Sequence, residues 1–253
     1  PLTFARADTR DESRNILAAG RMFATLERNR WTLSAGVSHL GSRNRNLLAA
    51  AEQNRTRAHR TLAQVQVERP FETGSVSHAL VAAVEAGRES FRARDVVYGG
   101  LSNQDRSRSQ ASATAEWRAE GGPLVADVAI RHDSFSRFKD VTSLRGSLLA
   151  RLGQEVTATA SYGEGIAQPT FFDLFGFFPG SFVGNPALRP ERSSGLEGSL
   201  RYQRKDLSLS VTAYRQRLRD EIIDVFNPAD FTSTTANAAG RSTRKGLEVE
   251  AGW

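Results

Sequence analysis

A phenylalanine-rich stretch is the part of this sequence best suited to bind a ligand. Residues 171–182 read FFDLFGFFPGSF. A cluster of exposed aromatic rings usually marks an interaction surface, and rings around an opening can stack on a bulky apolar ligand. We therefore predict ligand contacts from Phe171, Phe172, Phe175, Phe177, Phe178, Phe182 and the nearby Asn185. The alternative is a loop that packs on itself, on neighbouring loops or at a lipid interface.

Other chemical signals are weaker. A candidate calcium cluster is formed by Asp220, Glu221, Asp224 and Asp230, because hard cations bind clustered oxygen ligands, but its spacing follows no known calcium loop. The four histidines lack metal-ligand spacing, and neither a nucleophile-elbow motif nor a phosphate-binding glycine loop occurs. We therefore predict no enzyme activity, no catalytic residues, no metal and no cofactor.

The elements that must position these residues show a period of two. In EVTATASYGEG, apolar Val156, Ala158, Ala160 and Tyr162 alternate with hydroxylic residues, which indicates a β-strand with one apolar face. The same alternation predicts about eleven antiparallel strands. Their approximate segments are 16–26, 31–37, 63–67, 80–89, 111–117, 124–133, 143–152, 156–162, 196–202, 207–213 and 241–253.

Strand length favours lipid over a protein core as the partner of the apolar face. We expect strands of about 10–14 residues, which suits the roughly 9–11 residues that a tilted strand needs to cross a bilayer. Trp31, Trp117, Tyr162 and Tyr202 share the apolar parity, as in an aromatic girdle. The polar face carries paired charges such as Asp127 with Arg131, which suit a water-filled lumen. A soluble β-sandwich or lipocalin-like barrel is the alternative.

The net charge of +6 does not indicate a nucleic-acid-binding protein. The arginines are spread along the whole chain, and no helix-turn-helix, zinc-finger or RNA-binding motif accompanies them. The chain has no cysteine, so a disulfide framework is excluded.

The predicted connections alternate in length. Tight turns are expected at 27–30, 71–75, 120–123, 152–155 and 203–206, and longer loops around 41–57, 92–106, 165–190 and 220–240, with a modest link near 134–139. Outer-membrane barrels have short periplasmic turns and long external loops. We therefore place the tight turns in the periplasm, with Trp31, Trp117 and Tyr202 as a periplasmic belt.

A motif follows the strand at 156–162. Its residues are Tyr162, Gly163, Gly165 and Pro169, then Asn185, Pro186, Leu188, Pro190 and Glu191. The glycines loosen the strand where it leaves the sheet, and the prolines fix the backbone at the start of the next strand. Glu191 and Arg192 are candidates for charge-assisted hydrogen bonds at that point. We expect the motif to shape the loop.

The motif resembles that of the TonB-dependent outer-membrane receptors, in particular the cobalamin and siderophore receptor group. The resemblance implies an all-β, antiparallel transmembrane β-barrel, with about 11 strands here from a barrel of about 22. Residues 1–253 would be part of one receptor β-barrel domain, an internal fragment without the plug domain or the C-terminal strands. An open half-barrel should not span a membrane alone, since unpaired edge groups are costly in lipid.

The resemblance also implies a function for the parent protein. It would be an active-transport receptor in the outer membrane of a Gram-negative bacterium, surrounded by outer-membrane lipid. It would take up a bulky nutrient such as cobalamin or an iron chelate (a ferric siderophore), with energy from the TonB complex delivered through the plug. The rival hypothesis is a passive outer-membrane pore or adhesin-type barrel of about 12 strands, closed by pairing near Arg14 and Trp253.

Overall fold

The computed structural model describes residues 10–178 and 180–253, without the side chain of Phe177. In this part of the chain, eleven antiparallel strands form one sheet, and four short strands form a second. The fold is therefore all-β, as predicted, apart from a helix of five residues. No helix in the described ranges is long and apolar enough to cross a membrane.

The strands and the helix are numbered in chain order. They are β1 (Asp11–Arg28), β2 (Trp31–Leu48), β3 (Ala51–Thr73), β4 (Val76–Asp95), β5 (Gln104–Gly121), β6 (Leu124–Phe135), β7 (Val141–Arg151), β8 (Val156–Ala167), α1 (Phe171–Phe175), β9 (Phe177–Phe178), β10 (Phe182–Val183), β11 (Glu191–Arg204), β12 (Leu207–Arg219), β13 (Ile222–Asn227), β14 (Thr232–Asn237) and β15 (Arg241–Gly252).

The large sheet is a meander in which each strand pairs with the next one along the chain. Its order is β1 to β8, then β11, β12 and β15. The intervening short strands form the order β13-β14-β10-β9 at the end of the sheet opposite the tight turns. All eleven predicted strands are therefore present, and the segment 165–190 leaves the sheet and returns to it as predicted.

The two faces of the sheet have a burial pattern opposite to that of a soluble protein. On β5 and β12 the apolar positions are the exposed ones, namely Ala111, Ala113, Ala115, Trp117, Leu207, Leu209, Val211 and Ala213. The alternating polar positions are partly or fully buried, as for Ser112, Thr114, Glu116, Ser208, Ser210 and Thr212. We call these the outward and inward faces.

Ion pairs across the inward face show that this face is concave. Arg131 on β6 reaches Glu85 on β4, two strands away, at 3.2 Å, and also binds Asp133 on its own strand at 2.9 Å. The predicted pairing of Arg131 with Asp127 is wrong, because the Asp127 carboxylate accepts a hydrogen bond from the Ser147 hydroxyl instead. Long side chains can bridge second-neighbour strands only where the sheet curves toward them.

A second cluster of ion pairs on the inward face is centred on Glu116. Its side chain is only 7% exposed and binds Arg118 on the same strand and Arg145 on β7. Leaving a buried carboxylate without its cations costs several kcal/mol. The two arginines therefore stabilise the curved arrangement of β5, β6 and β7.

One predicted loop is a hairpin in the structure. The segment 41–57 continues β2 and β3 through a two-residue turn at Ala49 and Ala50, which have φ of 49° and 66°. Such turns need positive φ at both central residues and strongly prefer Asn and Gly. An Ala-Ala turn between polar strands carries no such signal.

The first five strands are also longer than expected, at 18–23 residues. Their extra length projects beyond the apolar outward positions on the side away from the tight turns. The predicted loop at 92–106 is accordingly shorter, with β4 ending at Asp95 and β5 beginning at Gln104.

The orientation of the two faces can be tested with one pair of adjacent residues on β3. Val65 lies on the outward face and is 44% exposed, and its neighbour Gln66 lies on the inward face. Replacing Val65 with Arg should lower the free energy of unfolding by about 2–4 kcal/mol, because a charge near the bilayer midplane faces lipid. Gln66→Arg should change it by less than about 1 kcal/mol, since the inward face is polar. Denaturant titration of the full barrel refolded into lipid vesicles measures both, and equal costs would contradict the assignment of faces.

Candidate ligand-binding site

Helix α1 begins the phenylalanine-rich loop and is fixed by a capping box. The Thr170 hydroxyl accepts a hydrogen bond from the Asp173 backbone N–H at 3.1 Å, and the Asp173 carboxylate accepts one from the Thr170 backbone N–H at 2.7 Å. These bonds satisfy N–H groups that a short helix would leave unpaired. The helix ends at Gly176, where a Cβ would lie 2.6 Å from the Phe172 carbonyl oxygen, so a larger residue would not fit.

The loop is bound to the inward face of β5. The guanidinium of Arg108 donates to the carbonyl oxygen of Pro169 at 2.6 Å and to Glu89 on β4 at 2.6 Å. The Gln168 side-chain amide donates to that of Gln110, also at 2.6 Å. Because Pro169 is itself fully buried, the start of the loop is held firmly against the wall.

Two of the predicted aromatic residues complete this attachment. Phe171 stacks on Phe91 of β4 with ring centroids 5.9 Å apart, and Arg108 lies over the Phe171 ring at 4.9 Å. Arg106 and Arg137 each approach the Phe175 ring centroid to 4.5 Å. Cation–π contacts of this kind are attractive, so these two rings serve to hold the loop in place.

The far end of the loop is bound to the β13–β14 hairpin. The Asn185 side chain donates to the Thr235 carbonyl oxygen at 2.9 Å and accepts from the Ala187 backbone N–H at 3.0 Å. The Thr235 hydroxyl donates to the Asp173 carbonyl oxygen at 3.0 Å. The loop and the hairpin therefore form one unit above the wall.

Two of the three remaining described rings face open space. Phe172 and Phe178 are 46% and 48% exposed, and Phe172 stacks on the buried Phe182 at 4.5 Å. They line a cavity of about 190 Å³ between the loop and the inward wall, which we call the loop cavity. Its other lining residues include Asn44, Asn46, Asn54, Thr56, Asp95 and Gln104, and a wider cleft of about 570 Å³ adjoins it at Phe178 and Asp95.

The polar wall of the loop cavity is rich in amide groups. Asn46 donates to Asn54 across the β2–β3 pair at 2.8 Å, and Asn44 donates to Asn15 on β1 at 2.6 Å. The side-chain oxygen of Gln104 is buried and has no hydrogen-bond partner within the described residues. A buried acceptor left unpaired is costly, so Gln104 is suited to receive a donor from a bound molecule.

Asp95 is the one carboxylate among the residues that line the loop cavity, which also include Arg55 and Arg94. Burial alone would raise the pKa of its carboxyl group, but hydrogen bonds from the Ser102 and Tyr98 backbone N–H groups and the Ser102 hydroxyl outweigh that effect and hold the pKa below its ordinary value. The group is therefore ionised at neutral pH, and it fixes the 96–103 loop beside the cavity.

The predicted ligand-contacting residues thus divide into three sets. Phe172 and Phe178 face the loop cavity, whereas Phe171, Phe175 and Phe182 support the loop, and the Asn185 amide is engaged within the protein. The side chain of Phe177 lies outside the described part of the structure. Ligand contact by any of them remains a prediction. Asn44, Asn54, Asp95 and Gln104 were missed, because they lie in segments assigned to loops.

The other predicted motif residues mostly lie where they can shape the loop. Gly163 and Gly165 do not mark the point where the strand leaves the sheet, because both still pair with β11, at Gly195 and Ser193, and β8 continues to Ala167. Leu188 is buried. The Glu191 carboxylate accepts the Ile222 backbone N–H at 2.6 Å, which fixes the start of β11 as expected. Pro186 and Pro190 precede that start, and Tyr162 lies on the outward face with its hydroxyl donating to Glu164 at 2.7 Å.

The candidate calcium cluster is not assembled. Asp220 accepts from Arg189 at 3.0 Å, Glu221 binds Ser242, and Asp230 accepts from Thr232 at 2.7 Å. No group of three or more carboxylates, histidines or cysteines in the described ranges is placed to hold a metal ion. The carboxylates instead stabilise turns at the two ends of the β13–β14 hairpin.

Arg108 should control the mobility of the loop. Replacing it with Met keeps most of the side-chain volume but removes the charged hydrogen bond to Pro169, which is worth about 1.5–3 kcal/mol. Amide hydrogens of 173–176 should then exchange about tenfold faster or more, as measured by hydrogen–deuterium exchange. Arg60→Met is the matched control, since Arg60 also pairs with Glu89, at 3.4 Å, without touching the loop. Equal exchange in both variants would contradict the anchoring role.

Comparisons with known proteins agree with this architecture. The chain is 28% identical over 172 residues to the vitamin B12 transporter BtuB of Vibrio vulnificus, which covers 68% of this chain and 27% of that protein. It is 28% identical over 145 residues to BtuB of Photobacterium profundum, covering 55% and 22%. The matched segments thus span about a quarter of the length of these curated relatives.

Solved structures show the same fold. The hemophore receptor HasR of Serratia marcescens, in complex with its hemophore HasA and heme, superposes with a TM-score of 0.83 at 15% identity over 97% of this chain and 47% of HasR. The siderophore receptor PirA of Pseudomonas aeruginosa gives 0.77 at 16% identity over 94% and 44%. The chain therefore has the fold of about half of a larger barrel.

The family model described as TonB dependent receptor-like, beta-barrel matches residues 2–253. Members of this family are receptors and transporters for bulky ligands such as vitamin B12, siderophores and heme. The predictions of a barrel fold and of a location in the Gram-negative outer membrane are confirmed, and the soluble alternative is wrong. The chain belongs to the TonB-dependent receptor family and forms part of its β-barrel domain.

Proposed function

We propose that this wall is part of an outer-membrane active-transport receptor that takes up a bulky nutrient, cobalamin or a ferric siderophore, with energy delivered by TonB. The observation that carries the proposal is the loop cavity. Phe172 and Phe178 are exposed above a polar wall, while the loop that bears them is fixed at both ends. Rings held in this way lose little conformational freedom when a ligand stacks on them.

The chemistry of the cavity suits a large ligand with both apolar and hydrogen-bonding groups. The two rings offer apolar surface, and the amides of Asn44, Asn54 and Gln104 face them from the wall. Pockets that bind organic ligands usually combine these features, with apolar contact for affinity and a few polar groups for orientation. The adjoining cleft extends the space available to such a ligand.

Two observations favour cobalamin as the first ligand to test. The two BtuB proteins that the chain resembles are vitamin B12 transporters. In addition, the corrin ring of cobalamin carries amide side chains, which can pair with an amide-rich wall as both donors and acceptors.

The wall would supply the binding surface, and a plug domain inside the barrel would respond to TonB. The inward ion pairs join second-neighbour strands and make this part of the wall stiff. Movement that opens a path is therefore expected in the plug, with the wall remaining fixed.

Removing both cavity rings should weaken ligand binding. In the full-length receptor, Phe172→Ala with Phe178→Ala should lower affinity for cyanocobalamin about tenfold, because each ring contributes about 0.5–1.5 kcal/mol of stacking. Phe226→Ala with Phe231→Ala is the control, since these rings are 58% and 74% exposed on the β13–β14 hairpin and do not line the cavity. Binding is measured by isothermal titration of the purified receptor, with ferric enterobactin and heme as further probes. Unchanged affinity for every probe that binds would contradict the assignment of the cavity.

Energy coupling is tested separately by uptake. Cells that express the receptor should accumulate the bound probe when TonB is present and should bind without accumulating it when TonB is deleted. Accumulation that is independent of TonB would instead support a passive pore.

A further inference from the structure

A group of cations occupies the outward face of β11, β12 and β15, beyond the apolar positions of the same strands. Its members, which we call the outward basic patch, are Arg192 on β11, Arg215, Arg217 and Arg219 on β12, and Arg241 and Lys245 on β15. All six are exposed, and the three arginines of β12 continue the parity of Leu207, Leu209, Val211 and Ala213. The patch therefore lies on the lipid side of the barrel.

Strand register brings these cations side by side. Arg219 is directly opposite Arg192 on one side and Arg241 on the other, and Arg215 is opposite Lys245. Directly opposed side chains in an antiparallel pair have Cβ atoms about 4.5–5.5 Å apart, and like charges in that position are destabilising. Three aligned arginines need an anion from elsewhere.

The described part of the chain does not supply that anion. None of the six forms an ion pair within 4.0 Å in the described part of the chain. The nearest outward carboxylate, Glu164 on β8, is two strands from Arg217 and accepts from the Tyr162 hydroxyl and the Leu144 backbone N–H. Asp220 pairs with Arg189, Glu191 binds the Ile222 N–H, and Glu221 binds Ser242.

Arginines on the inward face of the sheet do have carboxylate partners. There, Arg131, Arg145 and Arg108 each have carboxylate partners. The six cations of the outward basic patch lie on three neighbouring strands and have no carboxylate partner among the described residues.

The height of the patch identifies the membrane layer that it meets. With a rise of about 3.3 Å per residue and a strand tilt of roughly 40°, Arg217 stands about 25 Å above Leu207 at the periplasmic turn. The apolar band of such barrels is also about 25 Å tall. The patch therefore lies at the external edge of the band, beside the headgroups of the outer leaflet.

We propose that the outward basic patch binds the phosphate groups of the phosphorylated glycolipid that forms the outer leaflet of the Gram-negative outer membrane. Arginine is suited to this role because its planar guanidinium binds phosphate through two parallel hydrogen bonds. Clusters of four to eight basic residues beside a membrane surface are typical of anionic lipid recognition. A phosphate between the aligned arginines would remove their mutual repulsion. The proposal rests on the family and on the outward face, and it does not depend on which nutrient is transported.

The test compares two triple variants of the full-length receptor. Arg217→Gln, Arg219→Gln and Arg241→Gln together should weaken binding of purified bisphosphorylated lipid A by about a hundredfold, at about fivefold per lost cation. Less glycolipid should also copurify with this variant, as quantified from its hydroxylated fatty acids. The control replaces Arg201, Arg204 and Lys205 with Gln, which removes three cations from the periplasmic end of the same hairpin and should leave both readouts unchanged.

Further arms separate the outcomes. Dephosphorylated lipid A should bind weakly to the unaltered receptor, and inorganic phosphate should not compete at equal concentration. An Arg→Lys triple variant at 217, 219 and 241 keeps the charge but loses the paired hydrogen bonds, so it should bind lipid A more strongly than the Gln variant and less strongly than the unaltered receptor. Heat-modifiable migration on gels checks that each variant is folded. If the Gln triple variant does not fold, the single Arg219→Gln change replaces it.

Equal lipid A binding by the Gln variant and the control would overturn the proposal. The absence of lipid A binding by the unaltered receptor would also overturn it and would point to an acidic protein partner.

Discussion

Backbone hydrogen bonding in lipid is the constraint on which the rest of this structure depends. A strand in the hydrocarbon layer must pair its N–H and C=O groups with neighbouring strands, because no water is present to satisfy them. Pairing along eleven strands fixes the alternation of side chains, so each residue is committed to lipid or to the lumen. Exposed Leu209 and Val211 and buried Glu116 are consequences of that commitment.

The same alternation explains how charge is distributed. Inward carboxylates and arginines converge across the concave face, and their pairs join strands that are not hydrogen-bonded to each other. The arginines also extend above the membrane, where Arg106 and Arg108 hold the aromatic loop by its rings and its backbone. Arginine thus stiffens the wall and anchors the loop, and on the outward face it meets the surrounding lipid.

Alternation made the strands of the membrane-spanning part predictable from the sequence. Val156 to Tyr162 and Leu207 to Ala213 show it directly, and both lie on the expected faces. Above the membrane the signal is lost, because both faces of β2 and β3 contact polar surroundings and alternation disappears. The turn at Ala49 and Ala50 was missed for a related reason, since tertiary context forces positive φ on residues without that preference.

The aromatic loop shows where sequence reasoning about a site ends. Composition identified the cluster of phenylalanines, and Thr170 with Asp173 carried the sequence signal of a capped helix. That a residue is phenylalanine does not tell which way its ring faces. That division depends on Arg106, Arg108 and Arg137, which lie more than thirty positions away in the chain and capture Phe171 and Phe175. Phe172 lies one position along a helix from Phe171, about 100° around the axis. Once Arg108 and Phe91 hold Phe171, the Phe172 ring is turned to a different side of the helix, toward the loop cavity, so its exposure follows from the anchoring of its neighbour.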